Sequence, residues 1–121
     1  MQTMFNIEVA VAAAGVTSVY FQNPYDAPCT LRNVRGCANA QFNGEETVTI
    51  VENSGTTTLG VFTLADSAAG TVGSWVSDTT NGDHVIGADE VLKLTPTEVG
   101  DTAGVIRLTL ELDPHCLTGL V

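Results

Sequence analysis

The chain has 121 residues, 44% of them hydrophobic, which is enough for one domain with its own core and too few for two. Its 14 acidic residues outnumber 4 basic ones and give a formal net charge of -10. Such a surface repels nucleic-acid phosphates and anionic lipid headgroups, so we expect neither nucleic-acid nor membrane partners. The charge favours solubility or a basic protein partner.

Short alternating segments run through most of the chain, and each predicts a half-buried strand. In the first, the apolar residues between Phe5 and Val11 share one face. Further strands are predicted at residues 16–23, 28–40, 46–52, 58–64, 71–80, 91–95 and 103–112. Gly36 indicates a bulge or bend in the third strand. Trp75, the only tryptophan, is expected to anchor the core.

These segments amount to about eight strands at a spacing of roughly 10–14 residues, with turn dipeptides such as Asn43-Gly44 between them. No segment has a helical stripe, and the best candidate, at residues 95–101, is interrupted by Pro96 and Gly100. We therefore predict one all-β domain over residues 1–121, an antiparallel β-sandwich. Jelly-roll and immunoglobulin-like strand orders both remain open.

No constellation of residues points to catalysis, so neither an enzyme nor a cofactor is predicted. His115 and Cys116 are sequence neighbours, and neighbouring side chains on a strand point to opposite faces, which disfavours a Cys-His pair. Carboxylates at residues 78–90 are able to hold calcium, but they do not match an EF-hand loop and also suit turn formation. No metal ligands are assigned.

The three cysteines, Cys29, Cys37 and Cys116, are an odd number and do not indicate a disulfide framework. In an extended segment, Cys29 and Cys37 would lie about 26 Å apart, which is beyond bonding distance. Free thiols in a reducing compartment are expected, and the interruption of the N-terminal apolar residues by Glu8 is not typical of a secretory signal.

Two features indicate a protein partner. Residues 114–121 lie beyond the last predicted strand as a possible docking tail, and they carry the apolar residues Leu117, Leu120 and Val121. Packing of this tail on its own domain is the alternative. Tyr25 follows an aromatic strand end beside a proline, and it is a candidate interface anchor.

Five passages follow one another in a recognisable order. Residues 27–36 read Ala-Pro-Cys-Thr-Leu-Arg-Asn-Val-Arg-Gly. They are followed by a Thr-Val-Thr-Ile strand at 47–50, a small-residue passage at 66–70, an Ile-to-Leu step at 86–94 and a closing strand at 105–112. In sequence texture and in order, these passages resemble the small head-decoration, or cement, proteins of tailed bacteriophages, and the resemblance covers residues 5–113.

The resemblance implies a non-enzymatic virion component that binds the major capsid protein on the exterior of the capsid and stabilises the head. It also implies a homotrimer at lattice three-fold positions and synthesis in the host bacterial cytoplasm. Two alternatives are kept: a tail, fibre or baseplate module, and a carbohydrate-binding module. The latter would require Trp75, Tyr20 and Tyr25 to form an exposed aromatic platform.

Overall fold

Strands make up the regular structure of this protein. The computed structural model describes residues 3–11, 17–42, 44–53, 57–65, 68–78, 85–97 and 103–114. These residues contain nine strands and no helix: β1 (Thr3–Val11), β2 (Val19–Gln22), β3 (Cys29–Ala38), β4 (Glu46–Glu52), β5 (Thr58–Leu64), β6 (Ser74–Ser77), β7 (Val85–Ile86), β8 (Val91–Pro96) and β9 (Gly104–Pro114). Within the same ranges, there is accordingly no helix of the length and hydropathy needed to cross a bilayer.

The strands form two antiparallel sheets, which confirms the predicted all-β sandwich. The four-stranded sheet has the order β1-β9-β3-β7, and the five-stranded sheet has the order β2-β8-β4-β5-β6. Numbered without β6, the eight remaining strands stand in the orders 1-8-3-6 and 2-7-4-5, which are those of a jelly roll. In an immunoglobulin fold the first two strands share a sheet, whereas here β1 and β2 lie in different sheets.

The core lies between the two sheets and is built by the alternation of the strands. In β9, Ile106, Leu108, Leu110 and Leu112 are buried, and in β4 Val48 and Ile50 are buried opposite them on the second sheet. Trp75 is half-buried and packs against the margin of this core. Its ring lies against Gly60, where a Cβ would come within 2.5 Å of the indole.

The structure differs from the sequence prediction in two places. There are nine described strands where about eight were predicted, because β7 has only two residues, too few to show an alternation. The irregularity in β3 falls between Leu31 and Asn33, and the predicted bulge at Gly36 is wrong. Gly36 pairs regularly with Leu108. A residue with a Cβ does not fit at this position, because the Cβ would overlap the Arg107 carbonyl oxygen.

Replacing Leu110 should reveal how strongly the core depends on β9. Leu110 is fully buried and pairs with Phe5 on one side and Val34 on the other. We expect Leu110→Ala to lower the free energy of unfolding by about 2–5 kcal/mol, because a large apolar side chain is lost and a cavity is left. Val76→Ala, at a position 65% exposed, should change it by less than about 0.5 kcal/mol. Urea denaturation of both variants would test this, and equal effects would contradict the packing described.

Candidate protein-interaction surfaces

The outer face of the four-stranded sheet is charged but internally neutralised. All three arginines of the chain lie on it. They form ion pairs across the strands: Arg32 with Asp113 at 2.9 Å, Arg35 with Glu111 at 3.0 Å and Arg107 with Glu8 at 3.4 Å. The hydrogen bond from Arg32 lowers the pKa of Asp113 below its ordinary value. This face therefore contributes little to the net charge of -10.

The outer face of the five-stranded sheet carries no carboxylate in its described strands. We call it the acid-free face, and alternation together with strand register places twelve side chains on it: Tyr20, Gln22, Thr47, Thr49, Val51, Val61, Thr63, Ser74, Val76, Val91, Lys93 and Thr95. Lys93 is its one charged residue, and it is half-buried. The chain has 14 acidic residues, yet none of those in the described strands lies on this face, whose side chains are mostly threonine and valine.

Many carboxylates of the described residues gather instead at one end of the sandwich. Three backbone hydrogen bonds bring these chain segments to the same end. The N–H groups of Asn23, Asn53 and Asp78 donate to the carbonyl oxygens of Glu90, Val91 and Leu59, respectively. We call this end the acidic pole, and it holds Asp26, Glu52, Asp78, Asp89 and Glu90. Burial and the neighbouring Glu90 both raise the pKa of Glu52.

The carboxylates considered for calcium at residues 78–90 fall partly at this pole. Residues 79–84 lie outside the described residues. Among the residues that are described, no group of three or more histidine, cysteine, aspartate or glutamate side chains is arranged to hold a metal. Asn23 helps to order the pole, because its amide donates to Gly87 O at 2.9 Å and to Ala27 O at 3.1 Å.

The side of the sandwich formed by β1 and β2 leaves part of the core open. We call it the open flank: Phe5 and Ile7 of β1, Val19 and Phe21 of β2, and Tyr25 pack against the core and are only partly buried. The Phe5 ring lies 5.6 Å from the Phe21 ring and 6.2 Å from the Tyr25 ring, centroid to centroid. β1 and β2 are both edge strands. Met4, 61% exposed, and Tyr20, 57% exposed, extend the apolar surface outwards from the same two strands.

The predicted interface residues divide between this flank and the undescribed tail. Tyr25 belongs to the open flank, where its ring is partly buried and its hydroxyl group is buried. Its backbone N–H donates to Asn23 Oδ1 at 2.9 Å, which fixes the turn after β2. Leu117, Leu120 and Val121 lie outside the described residues, as do His84, His115 and Cys116. Their roles stay predictions.

The aromatic side chains do not form a platform for a sugar. Trp75 packs inwards at β6, Tyr20 lies on the acid-free face at β2, and Tyr25 lies on the open flank. A groove of about 920 Å³ does cross the outer face of the four-stranded sheet, lined by Asn6, Glu8, Arg35, Cys37, Arg107 and Thr109. It contains no aromatic ring, and its charged side chains are engaged in the ion pairs described above.

The two described cysteines are free thiols on opposite faces of β3. Cys29 is buried, and burial raises the pKa of its thiol to about 11, so the nucleophilic thiolate is suppressed. Cys37 is half-buried in the groove.

Glu46 is a buried carboxyl group, although its place beside Glu45 on a predicted hairpin indicates a solvated pair of carboxylates. It is fully buried at the start of β4, and neither carboxylate oxygen accepts a well-formed hydrogen bond from the described residues. The amide of Thr97, which lies near this carboxyl group, donates to Thr47 O at 2.8 Å. Burial raises the pKa of Glu46 to about 7, although the nearby Thr97 and Thr47 amides offset part of the rise.

Alternation contained the signal for this residue. The alternation of residues 46–52 predicts that Val48 and Ile50 face inwards, and a period of two places Glu46 on the same side of β4. The usual preference of glutamate for the surface hid that consequence.

We expect Glu46 to make the protein less stable as the pH rises. The folded state holds a proton up to about pH 7, whereas an unfolded glutamate releases it near 4.5. Stability is therefore fully present below about pH 4.5 and falls as the pH rises through 7, by about 3 kcal/mol in total. Glu46→Gln should remove this loss, so that its unfolding free energy relative to the parent chain increases between pH 4.5 and pH 8.

Glu45→Gln is the matched control, because it makes the same change of charge at an exposed neighbouring position. Denaturant unfolding of both variants across that pH range separates the buried group from the net charge. Parallel pH profiles for the two variants would contradict the raised pKa of Glu46 in the folded state.

A scan against protein-family models, a search of the curated proteins and a search of the solved structures each found no match to this chain.

Proposed function

We propose that this chain is a structural, non-enzymatic binding module, and specifically a decoration protein that attaches to the major capsid protein on the outer surface of a tailed-bacteriophage head. The observation that carries the proposal is the acid-free face: twelve outward side chains without a carboxylate, on a chain with a net charge of -10. The resemblance in segment order supplies the kind of partner.

The chemistry of the acid-free face suits contact with another protein. The centres of protein interfaces are depleted of charged residues, because each buried charge must lose its hydration. Thr49 lies at the middle of this face, between Thr95 of β8 and Val61 of β5. Threonine and valine lose little rotamer freedom when they are covered, so the entropic cost of docking on them is small.

The charge distribution indicates what the partner surface looks like. Glu45 is exposed near one end of the sandwich, and the acidic pole occupies the other end. A lattice surface with a neutral centre and basic residues around it would complement both features and would steer the approach of the chain. Binding that occurs only on the assembled lattice stabilises the assembled state, as a cement protein requires.

The predicted tail and Tyr25 complete the proposed attachment. The tail at residues 114–121 begins at the end of β9, and Leu117, Leu120 and Val121 would add an apolar contact to a neighbouring subunit. In this proposal, Tyr25 contributes through the open flank. The protein would be made in the bacterial cytoplasm and act on the exterior of the virion.

Jelly-roll folds occur in capsid proteins and in lectins, so the fold alone does not select a function. The separation of Trp75, Tyr20 and Tyr25 onto different surfaces weighs against the carbohydrate-binding alternative. A tail, fibre or baseplate module could use the same acid-free face. Such a module would bind isolated tails and not heads, so a binding assay with both virion parts distinguishes it from a head-decoration protein.

The test compares two identical substitutions on the two sheets. Thr49→Glu places a carboxylate at the centre of the acid-free face, whereas Thr109→Glu places one at a half-buried position on the outer face of the four-stranded sheet. Heads of the encoding phage, assembled without this chain, are mixed with each variant and sedimented. We expect Thr49→Glu to weaken binding at least tenfold, because a carboxylate would be desolvated at the contact, and Thr109→Glu to bind like the parent chain.

Three results would contradict the proposal: no binding of the parent chain to heads, binding only to isolated tails, or an equal loss in both variants. Unfolding curves of the two variants confirm in advance that both are folded.

A further inference from the structure

We propose that β1 is a self-association edge, on which a second copy of this chain adds its own β1 to form a continuous sheet across a two-fold axis. The inference rests on the edge of the four-stranded sheet and on the open flank, and it does not depend on the capsid proposal.

β1 is a long edge strand without the features that usually block strand addition. Its nine residues pair with β9 in an unbroken register from Thr3 to Val11, and none of them is a proline or a lysine. Glu8 is its only charged residue, and it is paired with Arg107. No described strand covers the other side of β1.

At the opposite side of the same sheet, the edge of β3 is partly covered by other segments, in contrast to the edge of β1. There, β7 covers Cys29 and Thr30, and Val72 bridges to Cys37. Between them β3 is bulged, and the N–H of Val34 is capped by its neighbour Asn33 at 2.9 Å. Short edge strands, bulges and local hydrogen bonds of this kind commonly prevent an edge from pairing with a strand of another molecule.

The register shows which backbone groups of β1 are available. The Val105 carbonyl accepts from Asn39 N–H, so the odd-numbered residues of β9 direct their backbone groups towards β3. The even-numbered residues of β9 therefore bond β1, where their partners are the odd-numbered residues Thr3 to Val11. The N–H and C=O groups of Met4, Asn6, Glu8 and Ala10 consequently point away from β9, towards the edge that no described strand covers.

Two copies of β1 are complementary in an antiparallel pair centred on Ile7. Met4 then lies opposite Ala10, and Asn6 lies opposite Glu8, each pair occurring twice. These four pairs would exchange about eight backbone hydrogen bonds, two for each pair. No carboxylate faces a carboxylate, and Ile7 of one copy meets Ile7 of the other on the core side.

The same pairing covers the apolar surface at the open flank. Phe5 and Ile7 are only partly buried, although both point towards the core. A second sandwich joined along β1 would bring its own flank against theirs, and this would remove apolar area from water. A two-fold contact uses one patch twice and closes, so association stops at two copies.

Charge gives this association a characteristic salt dependence. Each copy carries a net charge of -10, so two copies repel one another and salt screens the repulsion. Dimerisation should therefore strengthen as sodium chloride is added, whereas attachment to a basic protein surface should weaken.

The first test is the mass of the purified full-length chain by light scattering over a range of loadings. We expect a concentration-dependent shift from 12.6 kDa towards twice that mass, with the midpoint at lower concentration in higher salt. Asn6→Pro removes an edge N–H without removing a bond to β9, and it should raise the midpoint at least tenfold. Asn6→Ala, which keeps that N–H, is the matched control and should dimerise nearly as well as the parent chain.

A second pair of variants tests the register by charge. Asn6→Lys would face Glu8 of the other copy twice and should strengthen the dimer, whereas Asn6→Glu would face it with like charge and should weaken it. Ser74→Lys and Ser74→Glu make the same changes of net charge on β6, at the far edge of the five-stranded sheet. Their effects should be small and should report only the overall repulsion.

A chain that stays at 12.6 kDa at every loading and salt concentration would overturn the inference. So would the trimer that the family resemblance implies, or a dimer that all the Asn6 variants leave unchanged. Neither assay contains capsid protein, so a failure here is separate from a failure to bind heads.

Discussion

The insertion of β9 between β1 and β3 is the constraint on which the rest of the structure depends. Nine residues of β9 pair with β1 on one side, and nine pair with β3 on the other. Without β9, β1 and β3 lose the strand that joins them, and the core between the sheets loses Ile106, Leu108, Leu110 and Leu112. The buried leucines of β9 therefore link the pairing of strands to the packing of layers.

Periodicity in the sequence predicted the local structure well where strands are long. The all-β architecture was predicted correctly. The alternation of residues 46–52 and 103–112 also identifies the inward side chains of β4 and β9, because a period of two can be recognised over seven or more residues. β7 was missed because it has two residues, and Gly36 was misassigned because a glycine marks a bulge and a close backbone approach equally well. The jelly-roll order depends on long-range pairings, which alternation does not encode.

The candidate surfaces were less visible than the fold. Thr49, Val61 and Thr95 become neighbours only when β4, β5 and β8 pair, so the absence of acids on that face is a property of the sheet. The sequence indicated Tyr25 as an anchor, but the open flank around it is assembled from β1 and β2. The described carboxylates lie on the other sheet, at the acidic pole or at the start of β4, and this leaves Lys93 as the one charged residue of the acid-free face.

The central place of β9 also has a consequence during synthesis. β9 is the last described strand to emerge from the ribosome, and β1, which needs it as a partner, is the first. Until then, β1 and β3 leave the ribosome with hydrophobic faces and unpaired backbone groups, a state that invites aggregation. Mutual repulsion between acidic nascent chains would keep neighbouring copies on a polysome apart during that interval. The net charge thus acts on the unfinished chain as well as on the folded one.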